Sequence, residues 1–247
     1  MTAGGRRNLR AAVEEWLQGP ESHPTLRLAF EEFLAGRYAG LAPQLRQVHA
    51  ARRRFLWDDR RIRDVYGVGG IGESHTLSQA AHASAPVDQG RLLFQLTRCV
   101  RPGRALELGT NLGISAAYIG LGLEAAGHGL LTTVEVSPAK LRIARELFES
   151  LELRRIEPIE GYFDDVLPEL LPQISPVALA FIDGNHERDA TLRYFDLIRR
   201  HMPPGSTMVF DDIRWSEGMS EAWEAICASD RVTVAVDLGR TGIVVLT

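Results

Sequence analysis

Two apolar runs of strand length end abruptly in acid: Ala178-Leu-Ala-Phe-Ile-Asp-Gly-Asn-His186 and Thr207-Met-Val-Phe-Asp-Asp-Ile213. Side by side, they would set Asp183, Asp211 and Asp212 at neighbouring strand ends. Bare carboxylates a few ångströms apart repel, so such a cluster persists if one is protonated, if they separate, or if a hard divalent cation neutralises them. The cation is one reading. In the other, Asp183 faces a small ligand while Asp211 and Asp212 cap the turn into the next helix. His186, three residues past Asp183, adds a group whose ordinary pKa of about 6.5 leaves it able to accept a proton at neutral pH.

A second chemical signal is Ala105-Leu-Glu-Leu-Gly-Thr-Asn-Leu-Gly-Ile-Ser115, a strand that makes a glycine turn and opens into a helix. Gly109 and Gly113 are expected to let the backbone pass close beneath a ligand, and the free amides at the helix start favour a negative group. A dinucleotide fingerprint would place a further glycine where Asn111 stands. Glu107 before the turn suits a cationic or hydroxylated small molecule better than a diphosphate. The next strand ends in Thr133-Val-Glu135-Val-Ser-Pro138, whose acid can accept the two hydroxyls of a ribose. After the following strand comes Gly161-Tyr-Phe-Asp-Asp165, where Phe163 either flanks a flat ring or belongs to the core.

These residues need a scaffold that gathers strand ends. From Arg104 onward, apolar runs alternate with amphipathic helix-length segments, the pattern of a parallel sheet covered by helices. Strands are expected at Ala105, Leu130, Ile156, Val177, Thr207, Val232 and Ile243. Only Asp237-Leu-Gly-Arg-Thr-Gly242 separates the last two. That is too short for a crossover helix, so the final strand should be antiparallel to its neighbour. The expected fold is therefore α/β, a doubly wound, mostly parallel seven-stranded sheet. Residues 1–86 read as a helical extension, with helices at Leu9 to Leu17, Leu26 to Leu34 and Leu41 to Trp57, no strand pattern, and a glycine-rich stretch, Tyr66-Gly-Val-Gly-Gly-Ile-Gly72. The extension is expected to cover the open end of the sheet as a lid or a homodimer contact, with residues 87–247 as the catalytic domain.

The bulk composition is that of an ordinary globular protein: 247 residues, 45% hydrophobic, 24% charged. No apolar stretch is long enough to span a bilayer and no signal-type hydrophobic segment follows Met1, so a cytoplasmic location with no membrane partner is expected. Cys99 and Cys227 stand alone in helical segments and make neither a disulfide framework nor a zinc site. The net charge of −4 gives no nucleic-acid footprint. The run Arg52, Arg53, Arg54, Arg60, Arg61, Arg63 is interleaved with acid and reads as a solvated helix face. Lys140 is the only lysine.

On these motifs, from about residue 87 to 247, the chain resembles the class I S-adenosylmethionine-dependent methyltransferases. More narrowly, it is similar to the catechol and caffeoyl-CoA type of cation-dependent O-methyltransferase, in a bacterial branch marked by Ser22-His-Pro24 and Asp211-Asp-Ile-Arg-Trp-Ser216. The resemblance implies a Rossmann-like sheet and S-adenosyl-L-methionine held by Glu107, Gly109, Thr110, Asn111, Gly113, Ser115, Glu135, Val136, Gly161, Phe163, Asp164 and Asp183. It also implies Mg2+ or another divalent ion on Asp183, Asp211 and Asp212, and a hydroxylated small molecule as acceptor. The family has Asp-Asn at the pair, where this chain has Asp211-Asp212. Its base is a lysine three residues after the first metal aspartate, where this chain has His186, so His186 and Asp183 are the catalytic candidates. Asn185 is a candidate for an acceptor hydrogen bond and Trp215 for a pocket wall. Four alternatives stay open: a metal-free methyltransferase using His186 as base, a nicotinamide-dependent reductase, a nucleic-acid methyltransferase, and a pure binding module. Asn111 opposes the reductase. The acidic charge and the lack of an Asn/Asp-Pro-Pro-aromatic tetrad oppose the nucleic-acid enzyme.

Overall fold

The computed structural model describes residues 8–20, 23–63 and 74–247. The glycine-rich stretch 66–72 and Ser22 lie outside the described residues. Three helices come first: α1 (Leu9–Gln18), α2 (Pro24–Ala35) and α3 (Ala42–Leu56). They agree with the apolar periodicity to within two residues. Two three-residue strands then pair antiparallel, β1 (Arg61–Arg63) with β2 (Ser74–Thr76). No strand was expected here, because segments this short and polar carry no measurable alternation. Helix α4 (Leu77–His82) starts at a capping box between Thr76 and Gln79, and α5 (Val87–Val100) leads into the sheet.

The sheet is built from β3 (Arg104–Leu108), β4 (Leu130–Glu135), β5 (Ile156–Glu160), β6 (Leu179–Ile182), β7 (Thr207–Phe210), β8 (Val232–Asp237) and β9 (Gly242–Leu246). Its order is β5-β4-β3-β6-β7-β9-β8, with β9 antiparallel to both neighbours. The intervening helices are α6 (Ile114–Ala126), α7 (Pro138–Ser150), α8 (Phe163–Ile174), α9 (Arg188–Arg199) and α10 (Glu217–Cys227).

Side chains alternate across the strands and divide the core in two. Ala105, Leu131, Leu179, Phe181, Val209, Ile243 and Val245 pack with α5, α6, α7 and the three N-terminal helices. Leu106, Leu108, Ala180, Ile182, Met208, Phe210 and Val244 pack with α8, α9 and α10. Strands covered on both faces need continuous apolar runs, which is why β6, β7 and β9 are buried throughout. The N-terminal helices share the first of these cores with the sheet.

Register decides what the sheet presents at its carboxyl edge. Leu108 pairs with Val134 and Ile182, Ile182 with Phe210, and Phe210 with Gly242. One step further along each strand therefore stand Gly109, Glu135, Asp183, Asp211 and the β8–β9 turn.

Candidate functional site

The carboxyl edge gathers two groups of acids. At the β3–β4 end, Glu107 is fully enclosed. Its Oε2 accepts a hydrogen bond from Thr133 Oγ1 at 2.5 Å, and Thr110 Oγ1 lies 2.6 Å from the same Thr133 oxygen. Glu107 Oε1 is buried with no hydrogen-bond partner. Burial pushes the Glu107 carboxyl up to about 7, against the opposing pull of the Ser115 and Thr133 hydroxyls. A carboxyl oxygen left unpartnered at this depth is costly, and a cationic or hydroxylated ligand would satisfy it.

Glu135 is tied into the backbone around it. Its Oε2 accepts from Asn111 N at 2.8 Å and its Oε1 from Ser137 N at 2.9 Å. It therefore fixes the glycine turn as well as marking the end of β4, with Val136 the next residue. Gly161 N donates to the Glu135 carbonyl at 3.0 Å, which brings the start of α8 beside it. Phe163, the first residue of α8, sits against Gly184 and packs edge-on to Tyr194. Asp164 is exposed and faces Arg193 at 3.3 Å.

The glycines of the turn also have a packing reason that the sequence did not reveal. A Cβ at Gly109 would stand 2.0 Å from the Asp183 carbonyl oxygen, and one at Gly113 would meet Phe148 and Ala144 of α7 at 2.8 and 2.9 Å. Both have positive φ, 100° and 80°. They let the protein close tightly on itself behind the turn. Asn111 likewise turns its side chain inward, with Nδ2 donating to the Ala80 carbonyl at 2.9 Å.

At the β6–β7 end, Asp183, Asp211 and Asp212 do converge. His186 joins them, with Nε2 3.8 Å from Asp183 Oδ1 and 3.9 Å from Asp212 Oδ2. Burial, and then the neighbouring Asp211, raise the Asp183 carboxyl well above the usual carboxylate range. Asp212 adopts a φ of 52°, a left-handed conformation that Asn and Asp tolerate best. Asn185, also at positive φ, spends its amide on Tyr194 Oη at 3.2 Å. Trp215 is 71% exposed.

Arg240 and Gln89 complete the cluster, and sequence reasoning did not single out either one. Arg240 Nη2 donates to Asp211 Oδ2 at 2.6 Å and its Nε to Asp211 Oδ1 at 2.9 Å, while Nε stands 3.1 Å from Asp212 Oδ1. Gln89 Nε2, from α5, donates to Asp211 Oδ1 at 2.5 Å and to Thr241 Oγ1 at 2.9 Å. Burial pulls the Arg240 guanidinium down, but its bonds to Asp211 outweigh that and raise it overall. A signal was available: a tight turn between antiparallel β8 and β9 must lie at the same edge as the end of β7, which puts its single arginine beside Asp211.

This arrangement does not fit the expected metal. Among the described residues, no group of three or more His, Cys, Asp or Glu side chains is disposed to hold an ion. The oxygens of Asp211 are engaged by N–H donors instead. The arginine run also differs from a plain solvated face. Arg53 and Arg54 are exposed, but Arg52 is half-buried, donates to the Ser84 carbonyl at 3.4 Å, and keeps its Nε enclosed without a partner. No helix among the described residues is long and apolar enough to cross a membrane.

Comparison with known proteins agrees with this fold. A family profile described as Methyltransferase domain matches residues 106–213. The mouse protein Catechol O-methyltransferase domain-containing protein 1 is 26% identical over 133 residues, covering 52% of this chain and 48% of its own. The chain spans about half the length of the curated relatives it matches. Among solved structures, the O-methyltransferase TomG from Streptomyces achromogenes, in complex with SAM, superposes with a TM-score of 0.59 at 23% identity, over 69% of this chain and 88% of its own. An O-methyltransferase from Bacillus cereus in complex with SAH gives 0.61 at 20% identity, over 94% and 99%. At these identities the structural likenesses establish the fold.

Proposed function

We propose that this chain, a class I S-adenosylmethionine-dependent methyltransferase similar to the catechol and caffeoyl-CoA type, transfers a methyl group to a hydroxyl oxygen of a small molecule. The observation that carries the reading is the unpartnered, buried Oε1 of Glu107 near the end of β3, opposite Thr133 and two residues below the level of Glu135 at the end of β4. Together they offer one deep acceptor for an ammonium and one shallower acid for ribose hydroxyls.

S-adenosylmethionine brings a methyl carbon activated by its sulfonium sulfur. The protein's part is to hold and orient. Glu107 accepts from the donor's amino group, Glu135 from its ribose, and Phe163 with Asp164 bounds its adenine side. Gly109, Thr110, Asn111, Gly113, Ser115, Val136 and Gly161 shape the backbone between them. Asp183 borders both the donor and His186. His186, with Nε2 3.8 Å from Asp183 Oδ1 and 3.9 Å from Asp212 Oδ2, takes the proton from the acceptor hydroxyl. Holding the oxygen in line behind the methyl carbon supplies most of the rate enhancement, since orientation alone is worth up to about 7–11 kcal/mol. No step passes through a metal ion, because Asp211 is committed elsewhere. On this reading the N-terminal helical extension covers the acceptor side, its α4 reaching the glycine turn through the Ala80 carbonyl and Asn111.

Isothermal calorimetry with S-adenosylhomocysteine tests the reading, followed by methyl transfer to a panel of phenols and other hydroxylated compounds. One-to-one binding that weakens in Glu107→Gln and Glu135→Ala is the expected result. No affinity for donor or product would end it.

A further inference from the structure

Asp211 is the most deeply enclosed of the three aspartates, at 1% exposure, and both its oxygens accept from nitrogen donors. Oδ1 receives Gln89 Nε2 and Arg240 Nε, and Oδ2 receives Arg240 Nη2. A carboxylate offers about four lone-pair sites, and a Mg2+ or Ca2+ ion would need them at about 2.0–2.6 Å. Such an ion would also lie against a guanidinium, which repels it and cannot step aside by losing its proton. The arginine is held in place rather than resting there by chance. Its carbonyl accepts from Ile213 N at 3.0 Å, Gly239 N donates to Asp237 Oδ1 at 2.7 Å, and Arg214 Nη2 donates to Asp237 Oδ2 at 2.6 Å. The β8–β9 turn is thereby latched to the loop that follows Asp211.

We propose that Arg240 is the resident cation of this site: it neutralises Asp211 and Asp212 in place of a divalent ion and presents Nη1 to the acceptor oxygen. The acceptor half of this proposal rests on the methyltransferase reading, whereas the charge half does not. Arg240 keeps 38% of its side-chain surface exposed, and its bonds to described residues run through Nε and Nη2, leaving the two N–H groups of Nη1. A chelated ion grips two adjacent oxygens at once, whereas an Nη1–H donates to one. The acceptor class that fits is therefore a small molecule with a single reactive hydroxyl, with no vicinal oxygen required.

The test uses the full chain after exhaustive chelation. Mn2+ is titrated and followed by its paramagnetic resonance signal, in parallel with calorimetric titration of S-adenosylhomocysteine in chelator and in Mg2+. Wild type is expected to show no stoichiometric Mn2+ site, equal product affinity in the two buffers, and methylation of a lone phenol hydroxyl in chelator. Arg240→Met, which removes the charge and keeps most of the length, is expected to gain a one-to-one Mn2+ site that wild type lacks, since it frees the Asp211 oxygens. Arg240→Lys retains a charge and should stay closer to wild type. One Mn2+ per wild-type chain, lost in Asp211→Asn, would overturn the proposal without requiring any arginine variant to fold. Failure of S-adenosylhomocysteine to bind would remove the methyltransferase reading instead, and the Mn2+ result would still decide the role of Arg240.

Discussion

Arg240 Nη2 lies 2.6 Å from Asp211 Oδ2, and that contact helps to join the turn between the last two strands to the end of β7. Its partner carboxylate is almost fully enclosed, so cutting the arginine back strands a charge. Removing one member of a buried pair costs about 3–5 kcal/mol, and solvent reaching the 38% exposed guanidinium lowers the expectation to about 2–3 kcal/mol for Arg240→Met. Adding Asp211→Asn to that variant should recover more than half of the loss. Urea denaturation of the two single variants and the double closes the cycle, and additive losses would mean that the two residues are not coupled.

Glu107 makes stability and donor binding depend on pH in a defined direction. Its folded value of about 7 lies above the ordinary value of 4.5. Between those limits the folded protein holds a proton that the unfolded chain has released, so stability falls as pH rises through this window and levels off above about 7. The full effect is at most about 3 kcal/mol, and it should be absent in Glu107→Gln when denaturation midpoints are compared across the window. Binding of a cationic donor favours the ionised carboxyl. Calorimetry below pH 7 should therefore report proton release as a dependence of apparent enthalpy on buffer, and a buffer-independent enthalpy in wild type would contradict the assignment.

The sheet was legible because its strands are buried on both faces, which forces uninterrupted apolar runs such as Leu179–Ile182 and Thr207–Phe210. The clustering of Asp183, Asp211 and Asp212 followed from the same runs, since a parallel register brings their ends level. How those acids are neutralised was not legible. It depends on a turn residue, Arg240, and a helix residue 122 positions before Asp211, Gln89, and neither sits in a pattern with a period. The strands at Arg61–Arg63 and Ser74–Thr76 were missed because three residues cannot display alternation. The glycine turn was legible as a turn, but the close approach of Asp183 to Gly109 and of Phe148 to Gly113 was not, because both neighbours are distant in sequence.

Gly109 gives the sharpest test of that last point. A methyl group there would overlap the Asp183 carbonyl oxygen at 2.0 Å while the backbone is held at φ 100°. Gly109→Ala is expected to cost at least about 2 kcal/mol in thermal or urea unfolding, combining left-handed strain with overpacking. Because the displaced group belongs to Asp183, the variant should also weaken S-adenosylhomocysteine binding. Unchanged stability would mean that the β3 and β6 ends stand further apart than the structure places them.

His186 is the remaining candidate base, and its geometry sets the terms of its test. With Nε2 at 3.8 and 3.9 Å from two carboxyl groups, it faces the acid cluster without a committed hydrogen bond to either. It is 28% exposed and able to meet an acceptor hydroxyl. His186→Ala is expected to slow single-turnover methyl transfer by about ten- to a thousand-fold, the range for losing a general base, while leaving S-adenosylhomocysteine affinity as it was. The split separates proton transfer from packing, because a structural role would lower affinity and rate together. Acceptors whose hydroxyl is already ionised at the assay pH need no base, so the variant should lose little with them. A nitrophenol compared with an unsubstituted phenol measures that difference, and an equal loss with both would assign His186 to positioning rather than to proton removal.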